Sequence, residues 1–266
     1  MKEQIRMYLS ESCPWQDSVL YFDSIDSTNT HAKALASQGA PQGTVLIADH
    51  QTGGRGRLGR SFLSPAGSGI YLSVILRPQC PPAQLMHLTC AAAVAMCGAV
   101  EKAAGFRPGI KWTNDLVFRG RKLAGILTEL SITSAGLVDY AVVGIGINCC
   151  QQAEDFPEQI RPMAGSLAMA AGKPIDRARV AAAMIDALYH MDRQLLSSKE
   201  AIMEHYRSDC ITLGKDISLL KADGTVRYGT AVAIDDEGAL AVRFTDGSTE
   251  TINSGEISIR GMYGYA

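Results

Sequence analysis

The chain has 266 residues, 47% of them apolar and 20% charged, a composition that fits one or two globular domains able to bury a core without disulfide or metal staples. With 26 Gly and 10 Pro it is neither disordered nor collagen-like. A net charge of −2 argues against a general nucleic-acid binder, and the longest nearly apolar run, residues 88–100, falls short of the roughly 20 residues that a membrane span requires.

The N-terminal stretch, interrupted by Lys2, Glu3, Arg6, Glu11 and Asp17, has no apolar core of a secretory signal. Residues 21–25 read as a short strand. Asp26, Ser27 or Thr28 can cap the helix that follows, which carries Ala32, Leu35 and Ala36 on one face and ends near Gly39. Residues 44–48 and 69–76 are β-branched or apolar runs bounded by Gly and Pro, hence strands. Pro81 and Pro82 open a long helix to about Ala104, with Leu85, Leu88, Ala92, Met96 and Ala99 at helical spacing and Gly105 placed to terminate it. Residues 116–118 and 123–130 form a hairpin around Arg119-Gly120-Arg121, and residues 138–147 form a further strand. Residues 176–196 are an amphipathic helix whose apolar face holds Val180, Met184, Leu188, Met191 and Leu195. After about Cys210 short strands alternate with Asp223-Gly224, Glu237-Gly238 and Asp246-Gly247, a pattern of hairpins in a small β-barrel module.

Charge is unevenly spread. No acid occurs over residues 50–100, which hold Arg55, Arg57, Arg60 and Arg77, and Lys102, Arg107, Lys111, Arg119, Arg121 and Lys122 follow. A local positive field in a near-neutral protein suggests a small anionic ligand. The densest cluster is Gly53-Gly54-Arg55-Gly56-Arg57-Leu58-Gly59-Arg60, after a strand. Glycines let backbone approach a ligand, and arginines present charged forks to phosphate or carboxylate. The cluster is neither a P-loop nor a Rossmann fingerprint. A solvated surface loop or an RGG-like RNA contact would look similar.

Three weaker clusters follow. In Lys111-Trp112-Thr113-Asn114-Asp115-Leu116, Asp115 can be half of an ion pair or a ligand of Mg2+, which takes one or two carboxylates plus substrate phosphates; Trp112 is either core or pocket wall. In Arg121-Lys122-Leu123-Ala124-Gly125-Ile126-Leu127, Lys122 is either a point charge facing a cleft or a snorkelling surface lysine. In Val143-Gly144-Ile145-Gly146-Ile147-Asn148, the glycines clear space at a strand end and Asn148 offers a donor and an acceptor. The five histidines have no metal spacing. The seven cysteines include no C-x-x-C, and the adjacent Cys149 and Cys150 read as inert thiols of a reduced, cytoplasmic protein.

Taken in order, Ser24-Ile25-Asp26-Ser27-Thr28-Asn29, Gln51, the glycine–arginine loop and the three clusters above resemble biotin–protein ligase. The likeness covers most of residues 20–150, and Thr113 stands where many members carry Pro. The resemblance implies an α+β fold: a mixed-sheet catalytic domain with flanking helices over residues 1–209, then a small SH3-like β-barrel domain over 210–266. It implies activation of biotin by ATP, with Mg2+, to biotinoyl-5′-AMP, and transfer of biotin to a lysine of a biotin carboxyl carrier protein domain. By the same resemblance Ser27, Thr28, Asn29, Gln51, Arg55, Gly56, Arg57 and Lys122 contact biotin, with Arg57 and Lys122 catalytic. Arg60, Phe62, Trp112, Asn114 and Asn148 fall on the ATP side, and Asp115 holds the metal.

A lipoate–protein ligase shares the chemistry and stays as an alternative. A regulatory DNA-binding form is not expected, because only about 20 residues precede the first motif and Pro14 interrupts them, too little for a helix-turn-helix. No membrane partner is expected, and a homodimer is compatible with the resemblance.

Overall fold

The computed structural model describes residues 1–220, 224–253 and 256–259. Two sheets organise them. The larger has seven strands: β1 (Val19–Ile25), β2 (Val45–Gln51), β3 (Gly69–Leu76), β4 (Gly109–Lys111), β5 (Asp115–Phe118), β6 (Arg121–Ile132) and β7 (Val138–Asn148), in the order β1-β2-β3-β7-β6-β5-β4. Only β1 and β2 pair in parallel, so the sheet is mixed. A 3-10 turn over Pro14–Ser18 leads into β1, which starts two residues earlier than the sequence suggests. The β5–β6 hairpin turns on Arg119 and Gly120, whose φ angles of 48° and 77° are both left-handed, as a tight two-residue turn demands.

Side-chain alternation assigns the two sheet faces. Along β2, Val45 and Ile47 enter the main core, while Leu46 enters a smaller cluster with Ala32, Ala36, Ile75 and Val142 beneath α2 (Thr28–Ser37). The main core lies on the other face, under α3 (Leu88–Ala104) and α5 (Arg177–Gln194). Helix α1 (Lys2–Tyr8) packs on α5, and α4 (Leu167–Ala171) and α6 (Lys199–Asp209) pack on α3. Ser27 caps α2 by accepting from the Thr30 amide, and Asp176 caps α5 by accepting from the Ala178 and Arg179 amides.

The predicted helix from Pro82 is split. Pro82–Leu85 is a 3-10 turn, His87 breaks the geometry, and the α-helix proper runs from Leu88 to the left-handed Gly105. The stretch Pro82–Ala104 is apolar and long enough to cross a membrane, yet it lies mostly buried as the central core helix. The three-residue β4, the five-residue α4 and α6 were not anticipated.

The smaller sheet is antiparallel, in the order β11-β10-β9-β8-β12, from β8 (Asp216–Leu220), β9 (Val226–Ile234), β10 (Leu240–Phe244), β11 (Thr249–Ile252) and β12 (Glu256–Ile259). Gly238 and Gly247 sit at its predicted turns with φ of 84° and 86°. The predicted Asp223-Gly224 turn falls between β8 and β9, and its Asp223, like residues 260–266, lies outside the described residues. All seven cysteines are free thiols, with Cys149 fully buried and its thiol shifted toward the neutral form by that burial.

Candidate active site

The α2 face of the large sheet changes character along its strands. Beneath α2 it is lined by Ile75, Tyr140 and Val142. Further along β3, β7 and β6 the same face carries Ser73, Gly144, Gly146, Asn148 and Gly125. Small residues leave the sheet uncovered, and a cavity of about 510 Å3 opens there. Its walls are the N-terminus of α2, the loop after β2, the β4–β5 turn, the start of β6, the end of β7 and the segment that follows β7.

Every candidate site residue named from the sequence lines this one cavity: Ser27, Thr28, Asn29, Gln51, Arg55, Gly56, Arg57, Arg60, Phe62, Trp112, Asn114, Asp115, Lys122 and Asn148. At one end the polar groups form a chain. Gln51 Oε1 accepts from the Thr28 amide at 2.8 Å and from Thr28 Oγ1 at 3.1 Å, and Gln51 Nε2 donates to Ser64 Oγ at 2.9 Å. Ser73 Oγ lies 2.8 Å from Thr28 Oγ1 and 2.6 Å from Asn29 Oδ1. Asn29 Nδ2 donates to Glu129 Oε2 at 2.9 Å. Glu129 is held below the usual carboxylate range: burial opposes ionisation, but the Lys33 ammonium, the Asn29 amide and the Arg55 guanidinium outweigh it. A Cβ at Gly144 would run into Asn29 Oδ1, so glycine is required for this close approach.

The glycine–arginine loop folds back as a hairpin. The Gly56 amide donates to Arg60 O at 2.7 Å, the Phe62 amide donates to Gly54 O at 2.9 Å, and a 3-10 turn over Arg57–Gly59 closes the tip. Phe62 lays its ring over the glycine floor: a Cβ on Gly146 would stand 2.5 Å from a ring carbon. Arg57 leaves the loop and donates from Nη1 to Asn114 Oδ1 at 2.8 Å, while Asn114 Nδ2 donates to Ile126 O at 3.0 Å.

Lys122 and Asp115 face each other as an ion pair, Nζ to Oδ1 2.6 Å apart. The ion-pair reading of Asp115 is thus realised, but inside the cavity and with the lysine that the sequence also singled out. Trp112 is both core and wall: it is buried, lines the cavity, and donates from Nε1 to Gly238 O at 2.8 Å. Asn148 Nδ2 donates to Gly165 O at 3.0 Å.

Sequence reasoning missed several residues. Phe156, Ile160, Met163 and Ala164 line the cavity from the segment after β7, and Ile257 of β12 lines it from the small sheet. Apolar residues in a loop were the available signal for the first group; nothing local marks Ile257. Ser64, Ser73 and Glu129, which orient the polar chain, were also passed over, although Glu129 is the lone acid of β6.

Comparison with known proteins agrees with this geometry. Residues 21–148 match the Biotin/lipoate A/B protein ligase family, and residues 212–260 match the Biotin protein ligase C terminal domain. The chain is 39% identical over 230 residues to the bifunctional ligase/repressor BirA of Bacillus subtilis, covering 86% of this chain and 70% of that one. It is 34% identical over 236 residues to the biotin–[acetyl-CoA-carboxylase] ligase of Mycobacterium tuberculosis, covering 87% and 85%. The structure superposes on the Aquifex aeolicus biotin protein ligase, solved with biotin and ATP, with a TM-score of 0.75, 31% identity and coverage of 91% and 98%. With its mixed seven-stranded sheet, its small antiparallel C-terminal sheet and these relatives, the chain belongs to the biotin protein ligase family.

Proposed function

We propose that the cavity binds biotin at the end made by Ser27, Thr28, Asn29, Gln51, Arg55 and Gly56, binds ATP at the end made by Arg60, Phe62, Trp112, Asn114 and Asn148, and joins the two between Arg57 and Lys122. The reaction is that of the family: ATP-dependent activation of biotin and its transfer to a carboxylase. The observation that carries the residue assignments is the convergence of a neutral polar chain and a set of cations on one cavity. A ureido ring is neutral and takes matched donors and acceptors, whereas a carboxylate meeting a triphosphate needs positive charge.

In the first step a carboxylate oxygen of biotin bonds to the α-phosphorus of ATP, the bond from that phosphorus to the bridging oxygen breaks, and pyrophosphate leaves. Two anions repel, so the barrier falls when cations neutralise the developing charge and hold the reactants in line. Arg57, steadied by Asn114, and Lys122, steadied by Asp115, supply fixed charge at the junction. Asp115 also fits Mg2+: a carboxylate lining the cavity, together with phosphate oxygens, is a donor set that this cation takes, sharing the carboxylate with Lys122, and when bound it would neutralise phosphate charge. In the second step the neutral amine of a carrier lysine attacks the acyl carbon, the lysine nitrogen loses its proton, and AMP departs. The arginine loop is the part that closes over the adenylate and keeps water from the anhydride.

Residues 1–209 act as the catalytic domain, and residues 210–266 as an assisting module. The carrier is a biotin carboxyl carrier protein domain, and seven unpaired thiols suit a reducing cytoplasm. DNA and membranes are outside the proposed partners, since the arginine-dense stretch is spent on the cavity and the net charge is −2. ATP–pyrophosphate exchange tests the substrate directly. Exchange driven by biotin and not by lipoate supports the reading; exchange driven by lipoate alone overturns it.

A further inference from the structure

Asn29 is buried and its amide is committed on both sides: Nδ2 donates to Glu129 Oε2 and to Leu127 O at 3.3 Å, and Oδ1 faces Ser73 Oγ. A primary amide turned over exchanges its donors for its acceptor. Glu129 and the Leu127 carbonyl select the orientation together, because both only accept; the flipped amide would set oxygen against oxygen at each. The chosen orientation presents Oδ1 to Ser73, while the Thr28 backbone amide orients Gln51 on its own. Asn29 Oδ1 faces the Ser73 hydroxyl, Ser73 meets Thr28, and the Thr28 amide holds Gln51 Oε1, which leaves Gln51 Nε2 toward Ser64. The other carboxylate oxygen looks the opposite way: Glu129 Oε1 pairs with Lys33 Nζ at 2.6 Å and with Arg55 Nη1 of the glycine–arginine loop at 3.6 Å. One side chain, 20% exposed, therefore touches both the polar wall and the loop that closes the cavity.

We propose that Glu129 is a positioning residue for biotin activation: with Leu127 O it orients the Asn29 amide in the wall, and through Arg55 it docks the loop on that wall. It touches no substrate. The inference rests on the reading of this wall as the biotin end of the cavity. A half-exposed triad of Lys33, Glu129 and Arg55 would contribute little as a surface feature alone. The charged acceptor for Asn29 contributes more, since a hydrogen bond to a charged group outweighs a neutral one.

The test compares the full-length wild type with Glu129→Ala and Glu129→Gln by biotin calorimetry, by ATP–pyrophosphate exchange, and by tryptic cleavage after Arg55, Arg57 and Arg60. Glu129→Ala is expected to weaken biotin binding about tenfold or more, the size of one lost charge-assisted hydrogen bond. Its KM for ATP rises by less than its biotin affinity falls, because the wall is lost to biotin alone while the loosened loop, which also carries Arg60, is felt by both substrates. Cleavage of the loop speeds up in both variants. Glu129→Gln keeps an oxygen for Asn29 and so recovers most of the biotin affinity, while its loop stays quickly cleaved. Unchanged biotin affinity in Glu129→Ala, unchanged cleavage in either variant, or equal losses toward biotin and ATP would overturn the proposal. If Glu129→Ala does not fold, the Gln variant decides: fast cleavage with near-native affinity supports the proposal, and native cleavage overturns it. A wild type that binds no biotin would defeat the assignment of the cavity itself, before any variant is compared.

Discussion

At the residue scale, Lys122 separates a site from a surface. From the sequence alone it reads as either a cleft charge or a snorkelling lysine; in the structure it lines the cavity with a one-third exposed side chain against Asp115. A cation aimed at charge that develops only in the transition state is worth about 10²–10³ in rate. Lys122→Ala is expected to lose adenylation on that scale, read by pyrophosphate exchange, while circular dichroism shows a folded protein. Full exchange activity in the folded variant would return Lys122 to the surface reading. Motif residues were legible because glycine, arginine, lysine and asparagine in a fixed order constrain chemistry directly. Ser64, Ser73 and Glu129 were not, because they act by orienting other side chains, and a contact such as Asn29 to Glu129 spans 100 positions. No local pattern encodes such a contact.

At the scale of elements, strands and long helices were legible where periodicity was strong: β3 has the expected bounds, β7 and α5 differ by one or two residues, and α3 differs chiefly at its start. Proline explains the main shift: Pro81 and Pro82 favour a tighter opening turn, and the α-helix begins only after His87. Short elements such as β4 lack a full period. The β9–β10 turn was anticipated as a hairpin, but its second task was not. Its Gly238 carbonyl accepts from Trp112 Nε1, and Thr212 Oγ1 accepts from the Trp112 amide at 3.0 Å. Tyr206 OH donates to Thr113 O at 3.0 Å, while Arg207 pairs with Asp236 and Lys199 pairs with Glu237. Helix α6, Thr212 and the β9–β10 turn thereby pin the segment that carries Trp112, Asn114 and Asp115. Trp112→Phe keeps the apolar wall and deletes the indole donor, leaving a buried carbonyl unpaired at a cost of about 1–3 kcal/mol. The expected result is a lower melting temperature and a KM for ATP raised several-fold, with biotin affinity unchanged in calorimetry. Loss of biotin affinity with an unaltered KM for ATP would contradict this division between the two ends of the cavity.

At the scale of the molecule, one alternation rule accounts for both stability and site. On one face of the seven-stranded sheet, valines and leucines meet α3 and α5 and make the core. On the other, α2 covers only part of the sheet, and serine and glycine leave the remainder open. The C-terminal sheet completes the enclosure, with Ile257 at the cavity wall and Gly238 at its supporting turn. The account's central claim is that this cavity activates biotin and hands it to a carrier lysine. It is tested most directly by incubating the full chain with ATP, Mg2+, a biotin carboxyl carrier protein domain and either biotin or lipoate, and following the intact mass of the carrier. The account predicts addition of one biotinyl group, at a single lysine, that depends on ATP and on this chain. An unmodified carrier in the presence of biotin, or modification by lipoate alone, would contradict it.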